Sequence, residues 1–147
     1  MSPPRERPRQ VAAVCYRQSS EVEFLLVRTF DGKWTFPKGQ IDRGMSEVEA
    51  AETEAFEEAG AAGPIEHTPF ASYVYTKGDP NDSDAPEIEV HAYLMKVRTT
   101  HAPLEQHRRP QWFTPEAAKT ALAEGRIGKY ARELARVIDQ ALLRIAS

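Results

Sequence analysis

Residues 11–16 and 23–29 are apolar, β-branched runs on either side of the turn-like Gln18-Ser19-Ser20, a pattern that predicts a β-hairpin. Asp31-Gly32 then marks a tight turn before Lys33-Trp34-Thr35-Phe36. Further along, residues 69–77 set Phe70, Ser72, Val74 and Thr76 against Ala71, Tyr73, Tyr75 and Lys77. Residues 88–97 set Ile88, Val90, Ala92 and Leu94 against Glu89, His91, Tyr93 and Met95. A period of two puts each set on one face of a strand. Between these strands, residues 78–86 are a loop by composition.

A helical period governs two other stretches. Within residues 47–59, Val48, Ala51, Ala55 and Ala59 share one arc; within residues 127–146, Tyr130, Leu134, Val137, Ile138, Ala141, Leu142 and Ile145 form one stripe. The first is bracketed, because Ser46 and Glu49 make a capping box and Gly60 stands where a helix stop is expected. Thr114 as N-cap and Pro115 at the first helical position start another helix, running to about Glu124, directly after the short strand at Trp112-Phe113. Strands, a helix, more strands and then C-terminal helices predict an α/β fold: a mixed sheet with helices on both faces.

With 147 residues, a net charge of −3 and 41% hydrophobic residues, the chain fits one soluble domain over residues 11–147. Residues 1–10, with three Pro and three Arg, follow neither period and read as a loose arm. No apolar run is long enough to span a membrane and no apolar signal core opens the chain, so a cytoplasmic protein without membrane contact is expected. A net acidic chain lacking a dominant basic stripe gives no support to nucleic-acid binding. The single Cys15 lies in an apolar run and reads as a buried thiol.

The candidate chemistry sits on the helix of residues 47–59. Glu54, Glu57 and Glu58 fall at i, i+3 and i+4 and share an arc of about 100°. Like charges so spaced repel. Either the face is simply solvated, or a hard divalent cation such as Mg²⁺ or Mn²⁺ sits on it and cancels the repulsion. Residues 39–61 as a whole resemble the signature of the Nudix hydrolases: Gly, five residues, Glu, seven residues, Arg-Glu, an aliphatic residue, any residue, Glu-Glu, any residue, Gly and an aliphatic residue. Gly39 takes the first position, Glu54 follows the Arg position, Glu57 and Glu58 form the pair, and Gly60 is the last glycine. Met45 and Thr53 depart from the pattern, standing where Glu and Arg belong.

The resemblance implies a Nudix-type α/β/α sandwich and metal-dependent hydrolysis of a phosphoanhydride. It assigns Glu54, Glu57 and Glu58 as metal-holding and catalytic residues, with the Gly39 carbonyl as a further ligand. The two departures bear on rate and metal affinity, and a non-catalytic nucleotide-binding module is the alternative. Trp34-Thr35-Phe36-Pro37-Lys38-Gly39 looks like the corresponding stretch of Nudix members that cleave diadenosine polyphosphates or diphosphoinositol polyphosphates; ADP-ribose or a nucleotide sugar is a third substrate class. Either way the partner is a phosphate-rich small molecule, and a homodimer is left open.

Outside the signature, Arg28, Lys38, Lys77, Arg108 and Arg109 offer positive charge for phosphates. For Arg108 and Arg109 a solvated loop is an equal reading. Trp34, Tyr73 and Tyr75 are candidates to stack on a base or ring, against the plainer alternatives of packing and sheet surface. Glu87 and Glu89 are candidates for one more carboxylate, with Glu89 as metal ligand or general base, or else belong to a polar outer face. Arg5, Arg7 and Arg9 are either solvated charge or a reach toward phosphate.

Overall fold

The computed structural model describes residues 7–79 and 81–147. Strands β1 (Arg9–Gln18), β2 (Val22–Arg28), β3 (Trp34–Thr35) and β4 (Lys38–Gln40) precede helix α1 (Glu47–Ala59). Then come β5 (Ala61–Ala62), β6 (Ala71–Thr76), β7 (Glu87–Lys96), β8 (Thr99–Thr100), a 3₁₀ turn (Gln106–Arg108) and β9 (Gln111–Phe113). Helices α2 (Pro115–Ala123) and α3 (Gly128–Ala146) end the chain.

The hairpin expected from the first apolar runs is β1–β2, antiparallel with Cys15 opposite Leu25. The main sheet runs β3-β2-β1-β7-β6, with β4 beside β1 and β9 beside β2. It is mixed, since β1 and β7 are parallel while their other neighbours are antiparallel. β5 and β8 form a separate two-stranded sheet. The loose arm expected over residues 1–10 ends sooner. Arg9 and Gln10 are already strand, paired with Glu89 and Val90 of β7, and the Pro8 carbonyl accepts the Glu89 N–H at 3.0 Å. Those bonds satisfy backbone groups whatever the local hydropathy. Arg5 lies outside the described residues.

Both faces of the sheet are covered. α1 lays Ala50, Ala51, Ala55 and Ala59 on Val11, Ala13, Cys15, Leu25, Val27, Tyr93 and Met95. On the other face, Leu122 of α2 and Leu134, Val137, Ile138 and Ala141 of α3 cover Phe24, Leu26, Phe36, Val90 and Leu94. Odd and even positions of β1 therefore enter different cores, which is why its sequence reads as an unbroken apolar run. The result is the α/β/α sandwich. Among the described residues no helix is long and apolar enough to cross a membrane. Burial pushes the Cys15 thiol up to about 12, leaving it protonated and inert.

The helix signals act as read. Ser46 Oγ accepts the Glu49 N–H and Glu49 Oε1 accepts the Ser46 N–H, each at 3.1 Å. Thr114 Oγ1 accepts the Ala117 N–H at 3.3 Å. Gly60 ends α1 in the left-handed region at φ 63°, and a Cβ there would collide with the His101 carbonyl, to which the chain returns. Gly60→Ala is therefore expected to cost about 2 kcal/mol or more, read as a lower urea midpoint. Gly44 has φ 88° but open space around its Cα, so Gly44→Ala should lose only the conformational part, about 1 kcal/mol. Equal losses in the two variants would remove the steric argument at Gly60.

Candidate active site

β4 hangs beside β1 with Gly39 opposite Val11 and Lys38 opposite Ala12. Val11 belongs to the core under α1 and Ala12 to the core under α2 and α3, so consecutive residues of β4 address opposite faces of the sheet. On the α1 side a Cβ at Gly39 would collide with the Glu54 carboxyl. Glycine alone lets that carboxyl lie against the strand.

One turn further, Glu58 is 4% exposed. Its Oε1 accepts the Lys38 backbone N–H at 3.2 Å, and its Oε2 meets Arg108 Nη2 at 3.2 Å. Alanines at 55 and 59 draw this end of the helix close to the sheet and carry Glu58 down with them. Glu54 and Glu58 lie close enough for each to perturb the other's ionisation. Burial first, and the neighbouring Glu58 second, push the Glu54 carboxyl well above the ordinary range. Burial likewise raises Glu58, with Arg108 acting against it. Glu57 faces the same way and adds its charge at Glu54.

A further carboxylate joins from a distant segment. Glu105 adds negative potential at both Glu54 and Glu58, its backbone N–H bonds the Glu57 carbonyl at 3.2 Å, and its side chain accepts from Arg108 Nε at 3.0 Å. Clustered carboxylate oxygens packed against a glycine suit a hard divalent cation. Among the described residues, no three carboxyl or imidazole groups converge as a ready cage. The positive charge now beside Glu58 is the Arg108 guanidinium.

The NUDIX domain family model matches residues 6–134. The chain belongs to the Nudix family of hydrolases. The diadenosine tetraphosphate (Ap4A) hydrolase of C. elegans in a binary complex has 21% identity and a TM-score of 0.58, over 90% of this chain and 98% of that one. The NUDIX domain of Shewanella oneidensis NrtR, complexed with ADP ribose, has 18% identity and a TM-score of 0.69 over 96% and 90%. A NUDIX hydrolase from Nitrosomonas europaea has 21% identity and a TM-score of 0.67 over 90% of each chain.

The two departures from the Nudix pattern are absorbed locally. Met45 packs on the α1-side core, and the Thr53 hydroxyl donates to the Glu49 carbonyl at 2.9 Å. Glu89, expected to join the Nudix carboxylates, lies elsewhere. Its carboxyl lies 3.7 Å from His91 Nε2, and His91, Tyr93 and Arg9 all engage Glu47 in the first turn of α1. Glu47 and Glu58 stand roughly 16 Å apart along the helix axis, so a residue tied to the first turn serves a different end of the helix. Glu87 pairs at 3.9 Å with Arg7. Arg7 and Arg9 thus each have a carboxylate neighbour.

Other expectations divide in the same way. Tyr73 is neither sheet surface nor a stacking platform; it is 2% exposed in the core, because α3 covers that face of β6. Tyr75 is half-buried, donates to Gln10 Oε1 at 3.1 Å and carries Lys38 Nζ 4.2 Å above its ring. Burial lowers the Lys38 ammonium to about 8, with nearby Arg108 and Arg126 adding to the fall and Glu58 opposing it. Trp34 is a core residue, capped by the Arg28 guanidinium at 3.8 Å and met edge-on by Phe113 at 4.9 Å. Arg108, read as a phosphate clamp or a solvated residue, is held between Glu58, Glu105 and the Arg28 carbonyl. Arg109 is exposed and lines a pocket with Arg28 and Trp34. Glu105 and Arg126 escaped the sequence reading because each sits in an irregular segment where no period marks a facing residue.

Proposed function

We propose that this Nudix protein is a pyrophosphohydrolase that uses Mg²⁺ or Mn²⁺ to cleave a phosphoanhydride in a phosphate-rich small molecule. Dinucleoside polyphosphates and diphosphoinositol polyphosphates are the favoured classes. The observation that carries this reading is the Glu54–Glu58 carboxyl pair, Glu54 packed on Gly39 and Glu58 buried, with Glu57 and Glu105 beside it. Glu54, Glu57, Glu58 and the Gly39 carbonyl would hold the cation. When bound, such an ion offsets phosphate charge and lowers the pKa of a coordinated water.

The chain's own groups supply the rest. Glu105 stands next to the carboxyl pair and takes the role first considered for Glu89, accepting a proton from the attacking water. Lys38, from the other side of β4, and the guanidinium of Arg28 receive phosphate oxygens away from the reacting centre. The second reading, capture of ADP-ribose or a nucleotide sugar, draws on the likeness to the NrtR domain with its bound ADP ribose. A mass-resolved turnover assay across diadenosine polyphosphates, diphosphoinositol polyphosphates, ADP-ribose and nucleoside triphosphates, each with Mg²⁺, Mn²⁺ or chelator, tests both. Metal-dependent cleavage of one class supports the hydrolase; silence throughout, with tight binding of ADP-ribose, replaces it by the binding module.

Lys38 adds a pH signature. Burial favours its neutral form, so the cation that meets phosphate is present below about pH 8 and lost above it. The kcat/KM of the free enzyme should fall through that pH. Lys38→Arg should carry the limb to higher pH, because a guanidinium stays charged there. A limb that does not move in this variant belongs to another group.

A further inference from the structure

Arg108 has a second neighbour that the carboxylate chemistry does not use. Its Nη1 donates to the Arg28 carbonyl at 3.2 Å, at the edge of a pocket of about 510 Å³ lined by Arg28, Phe30, Trp34, His107 and Arg109 among others. That volume falls in the range of small-molecule sites. The pocket therefore begins where the Glu58 site ends.

Its lining is unusual in three respects. Phe30 is 85% exposed, more than any other large hydrophobic residue described, yet it is not loose. Its ring lies parallel to the His107 imidazole, with centroids 4.2 Å apart at 16°, which presents a flat, pre-placed aromatic surface to solvent. Second, neither Arg28 nor Arg109 has a carboxylate partner among the described residues, whereas Arg108 has two. Third, Arg109 is the one non-glycine residue with positive φ among those described, at 44°. A left-handed residue of this kind costs on the order of 1 kcal/mol and is held there by its surroundings.

Uncompensated guanidinium groups beside an open π-face match an anion joined to a flat ring. We propose that this pocket binds a nucleoside 5′-phosphate portion of the substrate, with its phosphate on Arg28 and Arg109 and its base on the open face of Phe30. The proposal rests on the pyrophosphohydrolase reading of the adjacent carboxylates and narrows it. An inositol ring has no π-face to offer Phe30, so the pocket selects the dinucleoside polyphosphate class over the diphosphoinositol class. Phe30 is then a specificity-determining residue, and Arg109 an anchor for phosphate.

Calorimetric titration of the whole chain with AMP, with ribose 5-phosphate and with inorganic pyrophosphate tests this without requiring turnover. AMP is expected to bind about tenfold tighter than ribose 5-phosphate, the scale of one base–aromatic stack. Phe30→Ala should abolish that advantage while leaving ribose 5-phosphate unchanged, and Arg109→Ala should weaken both. At 85% exposure, loss of the Phe30 ring leaves the fold intact. In turnover, Phe30→Ala should raise KM for a diadenosine polyphosphate about tenfold with kcat little changed. Equal affinity for AMP and ribose 5-phosphate, or AMP affinity indifferent to Phe30→Ala, overturns the pocket. Cleavage of diphosphoinositol polyphosphates alone would do so too, while sparing the hydrolase reading. AMP binding that depends on Phe30, in a chain that cleaves nothing, would instead defeat the hydrolase reading and keep the pocket.

Discussion

Glu58→Gln is expected to lower kcat about 10³-fold or more while the melting temperature holds or rises. The amide keeps the shape of the side chain and its bond from the Lys38 N–H, but it removes the charge that would hold a cation and orient water. Stability survives because the carboxyl is 4% exposed, where burial first and the charge of Glu105 after it already oppose ionisation. Arg108 keeps its bond to Glu105 at 3.0 Å, so no buried charge is orphaned. A second readout separates lost metal binding from general damage. Saturating Mn²⁺ should raise the melting temperature of the parent chain by mass action and leave Glu58→Gln unmoved. Full turnover in the variant would refute the assignment of Glu58.

Gly39→Ala should cost about 10²-fold in kcat/KM through geometry alone. The added methyl would occupy the space in which the Glu54 carboxyl rests, so that carboxyl must swing away or β4 must shift. No charge changes, and Gly39 lies outside the left-handed backbone region, so the conformational penalty that weighs on Gly60 is absent here. Titration with Mn²⁺ should show weaker binding in step with the lost activity. If Gly39→Ala binds and turns over like the parent, Glu54 does not need its present place.

The separate network at the start of α1 bears on Glu87 and Glu89, which the sequence left open between one more carboxylate for the site and a polar outer face. Alternation along β7 correctly sets Glu89, His91 and Tyr93 on the α1 side of the sheet. It says nothing about position along the helix axis. Only the tertiary packing of α1 on the paired β1 and β7 fixes that His91 and Tyr93 meet Glu47. Tyr73 fails for a related reason. Its strand face was legible, but the cover placed over it by α3 was not.

What the sequence determined by itself are features whose causes lie within a turn or two of chain. The capping box at Ser46, the stop at Gly60, the start at Thr114 and the i, i+3, i+4 carboxylates depend on local backbone geometry and on side chains a few residues apart. The two-sided apolar pattern of β1 and the stripe on α3 follow from strand and helix periods, and with the spacing of residues 39–61 they carried the α/β sandwich and the Nudix resemblance. Only the tertiary structure decided which charges face one another. Glu105 joining the carboxyl pair, Arg108 lying on Glu58, and Phe30 meeting His107 all depend on segments far apart in sequence. Electrostatic and stacking contacts of that kind leave no period in the chain, because their spacing is set by strand register and loop return rather than by the repeat of any single element.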